Sequence, residues 1–159
     1  NSVKEIVKKL SRENDIIVYL DMLQRIKKKY VIILAVKDTP GDHLDEIVIE
    51  QLKTMGFKNF SNELWRMYVG IISPNGIAID HVSTEREGQV SENILVGDHD
   101  IKVWSKPWRN GNSASIQIDN TEYSVNKRGF NIVVYDLKKN RVVDSIAYDA
   151  HTNNKLFYR

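Results

Sequence analysis

The chain contains no cysteine, which excludes a disulfide, a thiolate metal site and a cysteine nucleophile. That absence suits a reducing compartment and a microbial surface equally. No apolar run approaches the roughly 20 residues of a membrane-spanning helix. Neither charge dominates: 23 Lys and Arg face 21 Asp and Glu, for a formal net charge of +2. That is too mild for a nucleic-acid binder, which needs a strong basic patch. There is no glycine-rich phosphate loop, because Gly41 and Gly56 read as turn and cap glycines. His43, His81, His99 and His151 lack metal-ligand spacing, and Asp98-His99-Asp100 reads as a surface loop. Nothing specifies a Ser–His–Asp arrangement. No cofactor, metal or catalytic group is expected. The chain opens Asn1-Ser2-Val3 without Met or a signal-peptide pattern, and reads as an excised fragment or processed product.

What is present is an ordinary globular composition, 42% hydrophobic and 28% charged over 159 residues, enough for one domain with a sizeable core. The abundance of Lys, Asn and Ile points to an AT-rich microbial or viral genome, and the absence of cysteine leaves the cytoplasm and the cell surface both open.

Periodicity places the elements. Val3, Ile6, Val7 and Leu10 stand at helical spacing behind Ser2, a candidate N-cap with Glu5 three residues on. Asn14-Asp15 interrupts. Ile16 to Leu20 is a short apolar run, which Met22, Leu23 and Ile26 extend as a helix closing on Lys27-Lys28-Lys29. Tyr30 to Val36 is continuously apolar and reads as a strand buried on both faces. Leu44 to Met55 is an amphipathic helix capped by Gly56, with Asp42, Asp45 and Glu46 in its first turn. Leu64 to Ile72 and Gly76 to Val82 read as strands around a Ser73 to Gly76 turn.

Thr84 to Asn93 is polar and reads as a connector. Ile101 to Trp104, Ala114 to Ile118 and Thr121 to Val125 are strands, with Asp119-Asn120 a tight turn. Phe130 to Tyr135 and Val142 to Ala147 form a hairpin through Asp136 to Asn140. Its start, Lys127-Arg128-Gly129, sets cations against a core strand, a costly placement unless they are paired or used. The tail from Asn153 to Arg159 is ambiguous. The reading is therefore a single domain over 1–159: a helix-bearing half (1–83), a connector (84–100) and a β half (101–159). Its class is α+β, with two packed, mainly antiparallel β-sheets in a sandwich-like arrangement and flanking helices.

Three local patterns occur together: Arg128-Gly129-Phe130-Asn131 leading into Ile132-Val133-Val134, Val36-Lys37-Asp38 followed by Leu44, and Trp65-Arg66 before Tyr68-Val69-Gly70. Tyr148-Asp149-Ala150 closes the hairpin. With these the chain resembles the interleukin-like EMT inducer (PANDER-like) domain family, over most of Tyr30 to Gly70 and Ile101 to Asp149. The family places the Arg-Gly hairpin before the Val-Lys-Asp strand, and here it follows. Circular permutation accounts for this order, and is easy when termini meet at a surface; a slice through two tandem copies is the alternative.

The resemblance implies a glycan-related accessory module. It also implies a sugar pocket like that in the stem of protein O-mannose N-acetylglucosaminyltransferase, carried here by Arg128, Asp38 and Arg66. Guanidinium forks and a carboxylate match vicinal hydroxyls and an acetamido carbonyl. The same three residues also fit a structural ion-pair cluster at sheet ends. Trp65 and Trp104 are expected in the core. Trp108, between Pro107 and Arg109, is the candidate exposed stacking face. The function expected is non-catalytic binding of a glycan, of N-acetylhexosamine type. The alternative is a structural or protein-interaction module of a microbial surface or phage tail assembly.

Overall fold

A computed structural model describes residues 2–41, 43–150 and 155–158. Three helices and two antiparallel sheets make an α+β sandwich. Helix α1 spans Val3–Leu10, α2 Ile16–Ile26, strand β1 Val31–Lys37 and α3 Glu46–Met55. Then follow β2 (Tyr68–Ile72), β3 (Ala78–Val82), β4 (Val90–Val96), β5 (His99–Lys106), β6 (Ser113–Ile118), β7 (Thr121–Glu122), β8 (Gly129–Asp136), β9 (Arg141–Asp149) and β10 (Lys155–Tyr158).

The six-stranded sheet runs β10-β9-β8-β1-β2-β3 and the four-stranded sheet β4-β5-β6-β7. Their interface is pinned by Ser105 of β5, whose hydroxyl donates to the Val36 carbonyl and accepts from the Tyr68 N–H at 3.3 Å. Val31 to Val36 are fully buried, and so is almost all of β8. Strands buried on both faces need two covering layers. The small sheet covers one face and the helices cover the other. Tyr19 of α2 donates to the buried carboxylate of Asp144 on β9 at 2.6 Å. Each large aliphatic side chain in these strands contributes about 1.5–3 kcal/mol by burial.

The helices begin where side chains accept orphan N–H groups: Ser2 from Glu5, Asp15 from Ile17 and Asp45 from Ile47, each contributing about 1 kcal/mol. Asp45 is therefore a cap outside α3, and the helix starts later than Leu44, which is buried in the turn before it. Asp42 lies outside the described residues. Ile16 and Ile26 belong to one continuous helix. The two halves of the chain interleave, because β1 pairs with both β2 and β8.

Several expectations need correction. The strand expected over Thr121 to Val125 ends at Glu122, because the chain leaves the sheet edge there, and Trp104 is half-buried rather than in the core. The connector at 84–100 contains β4 and the start of β5. Strand β4 is polar because it is an edge strand, buried only at Val90 and Val96. Residues 64–67 are not strand: Trp65 takes a φ of 60°, leaving Arg66 in a loop. Of Asp98-His99-Asp100 only Asp98 lies in the surface turn; His99 and Asp100 open β5, with the His99 side chain 13% exposed. Trp65 is not in the core, at 42% exposure. Of the ambiguous tail, Lys155–Tyr158 is an edge strand, and the rest lies outside the described residues.

Candidate functional site

One end of the sandwich carries the long connections: 38–45, 56–67, 83–89, 107–112 and 123–128. These loops hold the sequence-derived candidates. Lys37 pairs with Gly129 and Ala35 with Val69. Asp38 directly follows β1, Arg128 directly precedes β8, and Arg66 lies two residues before β2. Asp38, Arg66 and Arg128 thus stand at the same end of three adjacent strands, β2, β1 and β8.

Arg66 and Arg128 each pair with a carboxylate outside this trio. Arg128 grips Asp149, Nε at 3.2 and 3.3 Å from the two carboxylate oxygens and Nη2 at 2.9 Å. The cation beside the core strand is therefore compensated from β9. Gly129 permits this approach: its φ is 102°, and a Cβ there would lie 1.9 Å from the Tyr148 carbonyl oxygen. Arg66 donates to Glu63 at 2.7 and 3.1 Å and to the Ser83 carbonyl at 3.1 Å. Arg86 donates to the second Glu63 oxygen at 2.9 Å. These hydrogen bonds, from Arg66 first and then Arg86, hold the Glu63 carboxyl below its usual range.

Two indole rings stand on this end, Trp65 at 42% and Trp108 at 69% exposure. The 108 exposure fits its expectation. Trp108 opens a single 3-10 turn, in which Asn110 and Asn112 both donate to the Pro107 carbonyl at 2.9 Å. Glu87 joins the two tryptophan loops. Its N–H donates to the Trp65 carbonyl at 2.8 Å, and its carboxylate lies 3.6 Å from Arg109 Nε, next to Trp108. Thr39, nearly buried, accepts from the Trp65 N–H at 3.4 Å. Trp104 sits apart, half-buried, its indole N–H donating to Ser113 at 3.0 Å.

Trp65 and Glu87 are left-handed, at φ 60° and 58°. Such a conformation costs roughly 1–3 kcal/mol for residues of this kind and persists where surroundings impose it. Asp38 and Asn126 share it at 64° and 61°, but short polar side chains tolerate it.

Glu63, Arg86 and Glu87 are working residues that the sequence motifs passed over, and Asp149 stood in a motif without a role assigned to it. Glu63 carried one readable signal, three residues before Arg66. Glu87 carried none, because its contacts to Trp65 and Arg109 cross loops distant in sequence.

At the opposite end, His99 Nδ1 lies 2.6 Å from Asp119 Oδ2 and Nε2 lies 2.8 Å from Asn140 Oδ1. Its pKa is raised, chiefly by the Asp119 carboxylate. This histidine ties the β6–β7 turn to the β8–β9 turn. Among the described residues no cluster of His, Asp and Glu is arranged to hold a metal ion, and no helix is long and apolar enough to cross a membrane.

No family model, curated protein or solved structure matches this chain.

Proposed function

We propose that the protein is a non-catalytic carbohydrate-binding module, and that the long-loop end of the sandwich is its binding face. The observation that carries this reading is the pair of exposed indoles, Trp65 and Trp108, on loops that Glu87 links through the Trp65 carbonyl and Arg109. Sugars present apolar C–H faces that lie flat on such rings, and hydroxyls that need fixed donors and acceptors at their edge. Arg66, Arg128 and Asp38 supply those edges. The guanidinium groups are already oriented by Glu63 and Asp149, so binding orders little that is not ordered beforehand.

The same reading takes the chain as a PANDER-like domain in permuted order, part of a larger glycan-related protein. In its favour, the three residues singled out by that resemblance come to one end of neighbouring strands. The ligand class proposed is an N-acetylhexosamine-bearing glycan, whose acetamido carbonyl suits an arginine fork. Calorimetric titration with N-acetylglucosamine oligomers tests it. Wild type is expected to bind, Trp108→Ala to lose at least about tenfold in affinity, and Arg128→Ala to lose a comparable amount. Affinity that survives both substitutions places the ligand elsewhere, and no binding to any glycan on an array removes the proposal.

A further inference from the structure

Of the two cations that open β8, only Arg128 is paired, with Asp149. Lys127 is exposed and, among the described residues, forms no ion pair. Its backbone is nevertheless fixed from the core. Asn131, fully buried on β8, accepts from the Lys127 N–H at 3.0 Å and donates to the Lys127 carbonyl at 2.8 Å. A satisfied buried amide of this kind rigidifies the chain it binds. The residue before it is held as well: the Asn126 side chain accepts from the Ala114 N–H at 3.0 Å, and the Asn126 N–H donates to Ser124 Oγ at 3.0 Å.

Two more lysines join it. Tyr158 of β10 turns its hydroxyl to the Leu10 carbonyl of α1, at 3.5 Å, so Lys155 and Phe157 project from the opposite face of the sheet. The four-stranded sheet packs chiefly on β1, β2 and β8, and β10 lies two strands beyond them. There the Lys127 and Lys155 ammonium groups both stand over the Phe157 ring, 5.6 and 5.1 Å from its centroid. Lys37, at the end of β1, donates to the Asn126 carbonyl, next to Lys127, at 3.0 Å. Partial burial, and then the Lys127 charge, hold the Lys37 pKa below its usual range against a weaker pull from Asp38. Lys155 lies opposite Asp149 in the sheet, but that carboxylate is gripped by Arg128. Like Lys127, Lys155 is exposed and has no ion-pair partner among the described residues.

We infer that Lys37, Lys127 and Lys155 form an anion subsite beside Arg128, and that the glycan held at the loop end carries a sulfate or carboxylate group there. Three ammonium groups on a braced backbone, with their mutual repulsion unrelieved, favour a negative group that relieves it. Ammonium and anionic oxygen make charge-assisted hydrogen bonds, which are stronger than those between neutral groups. The sugar identity rests on the reading given under the proposed function, whereas the anion contact rests on the lysines alone. A nucleic acid does not fit: three lysines on a chain of net charge +2 make too small a basic track for a phosphate backbone.

The test is a calorimetric titration with three N-acetylglucosamine oligomers of one length: neutral, 6-O-sulfated, and oxidised at C6 to the carboxylate. The two charged oligomers are expected to bind at least about tenfold tighter than the neutral one, with the tighter of them naming the group, and the preference should shrink as salt is raised. Lys127→Gln and Lys155→Gln should each cut the preference about threefold or more, and the double variant should abolish it, with neutral-oligomer affinity and circular dichroism unchanged. Charged oligomers that bind no better than the neutral one overturn this inference and leave the tryptophan face standing. Charged oligomers that bind through the lysines in a Trp108→Ala protein as well as in wild type do the reverse. A preference that survives the double variant, or polyuridylate of equal charge binding as tightly as the charged oligomers, also overturns the inference.

Discussion

The two ends of the sandwich are built on opposite principles. At the His99 end the connections are short, and the left-handed positions are filled by residues that accept them: Gly76, Gly97, Asp119, Asn120 and Asn140. Asp119-Asn120 is a tight turn because both residues take positive φ cheaply. At the other end the connections are long, and two left-handed positions belong to Trp65 and Glu87, which gain nothing locally from that conformation. One end closes strands at least cost. The other spends stability to hold two indoles and their polar neighbours in place, as a binding surface does.

The largest effect that tests this contrast comes from paired glycine substitutions. Gly129→Ala, on the loop end, drives a Cβ into the Tyr148 carbonyl and should cost more than about 3 kcal/mol, or abolish folding. Gly97→Ala, on the turn end, meets only Leu137 at 3.9 Å and should cost just the left-handed penalty, about 1–2 kcal/mol by denaturant titration. Equal costs would mean that the two ends are equally constrained.

Next comes the separation of stability from binding. Trp108→Ala removes a ring that is mostly in solvent, so its midpoint of unfolding should stay within about 0.5 kcal/mol of wild type while glycan affinity collapses.

The His99 end should instead reveal itself through pH. In the folded protein both imidazole nitrogens face acceptors and the pKa is raised, so the imidazolium is the favoured form. The stabilisation it brings is complete below the unfolded pKa of about 6.5 and is lost as pH rises through the higher folded value. Melting temperature should therefore fall across that window, and His99→Gln should flatten the fall. The smallest effect is Glu87→Gly. Relief of the left-handed glutamate should outweigh a weak, exposed pair with Arg109 and raise stability by about 0.5–1 kcal/mol. The same change unties the two tryptophan loops, so ligand affinity should drop.

Much of the frame was legible because it obeys local rules. The period of α1, the unbroken apolar run of β1 and the Asp119-Asn120 turn each announce themselves in a few residues. Strand β4 did not: its burial alternates along the strand, but Glu92 stands on the inward set and Leu95 on the outward one, which breaks the apolar pattern. Trp65 was misplaced for a related reason: its exposure follows from a backbone turn fixed by Thr39 and Glu87, contacts that no local pattern encodes. The candidate site was half legible. The motif residues Asp38, Arg66 and Arg128 do share one end of the sheet, but the roles of the carboxylates that orient the arginines, Glu63 and Asp149, follow from the packing of loops and from the pairing of β8 with β9.

The central claim is that Trp65 and Trp108 form one ligand face, and intrinsic fluorescence reads it directly, since the chain has 3 tryptophans and Trp104 lies apart, bonded to Ser113. Titration with N-acetylglucosamine oligomers should change the emission saturably, with about half or more of the change lost in Trp108→Ala and the remainder in the Trp65→Ala, Trp108→Ala double variant. Emission indifferent to every glycan, or a saturable change that persists in the double variant, would contradict the account.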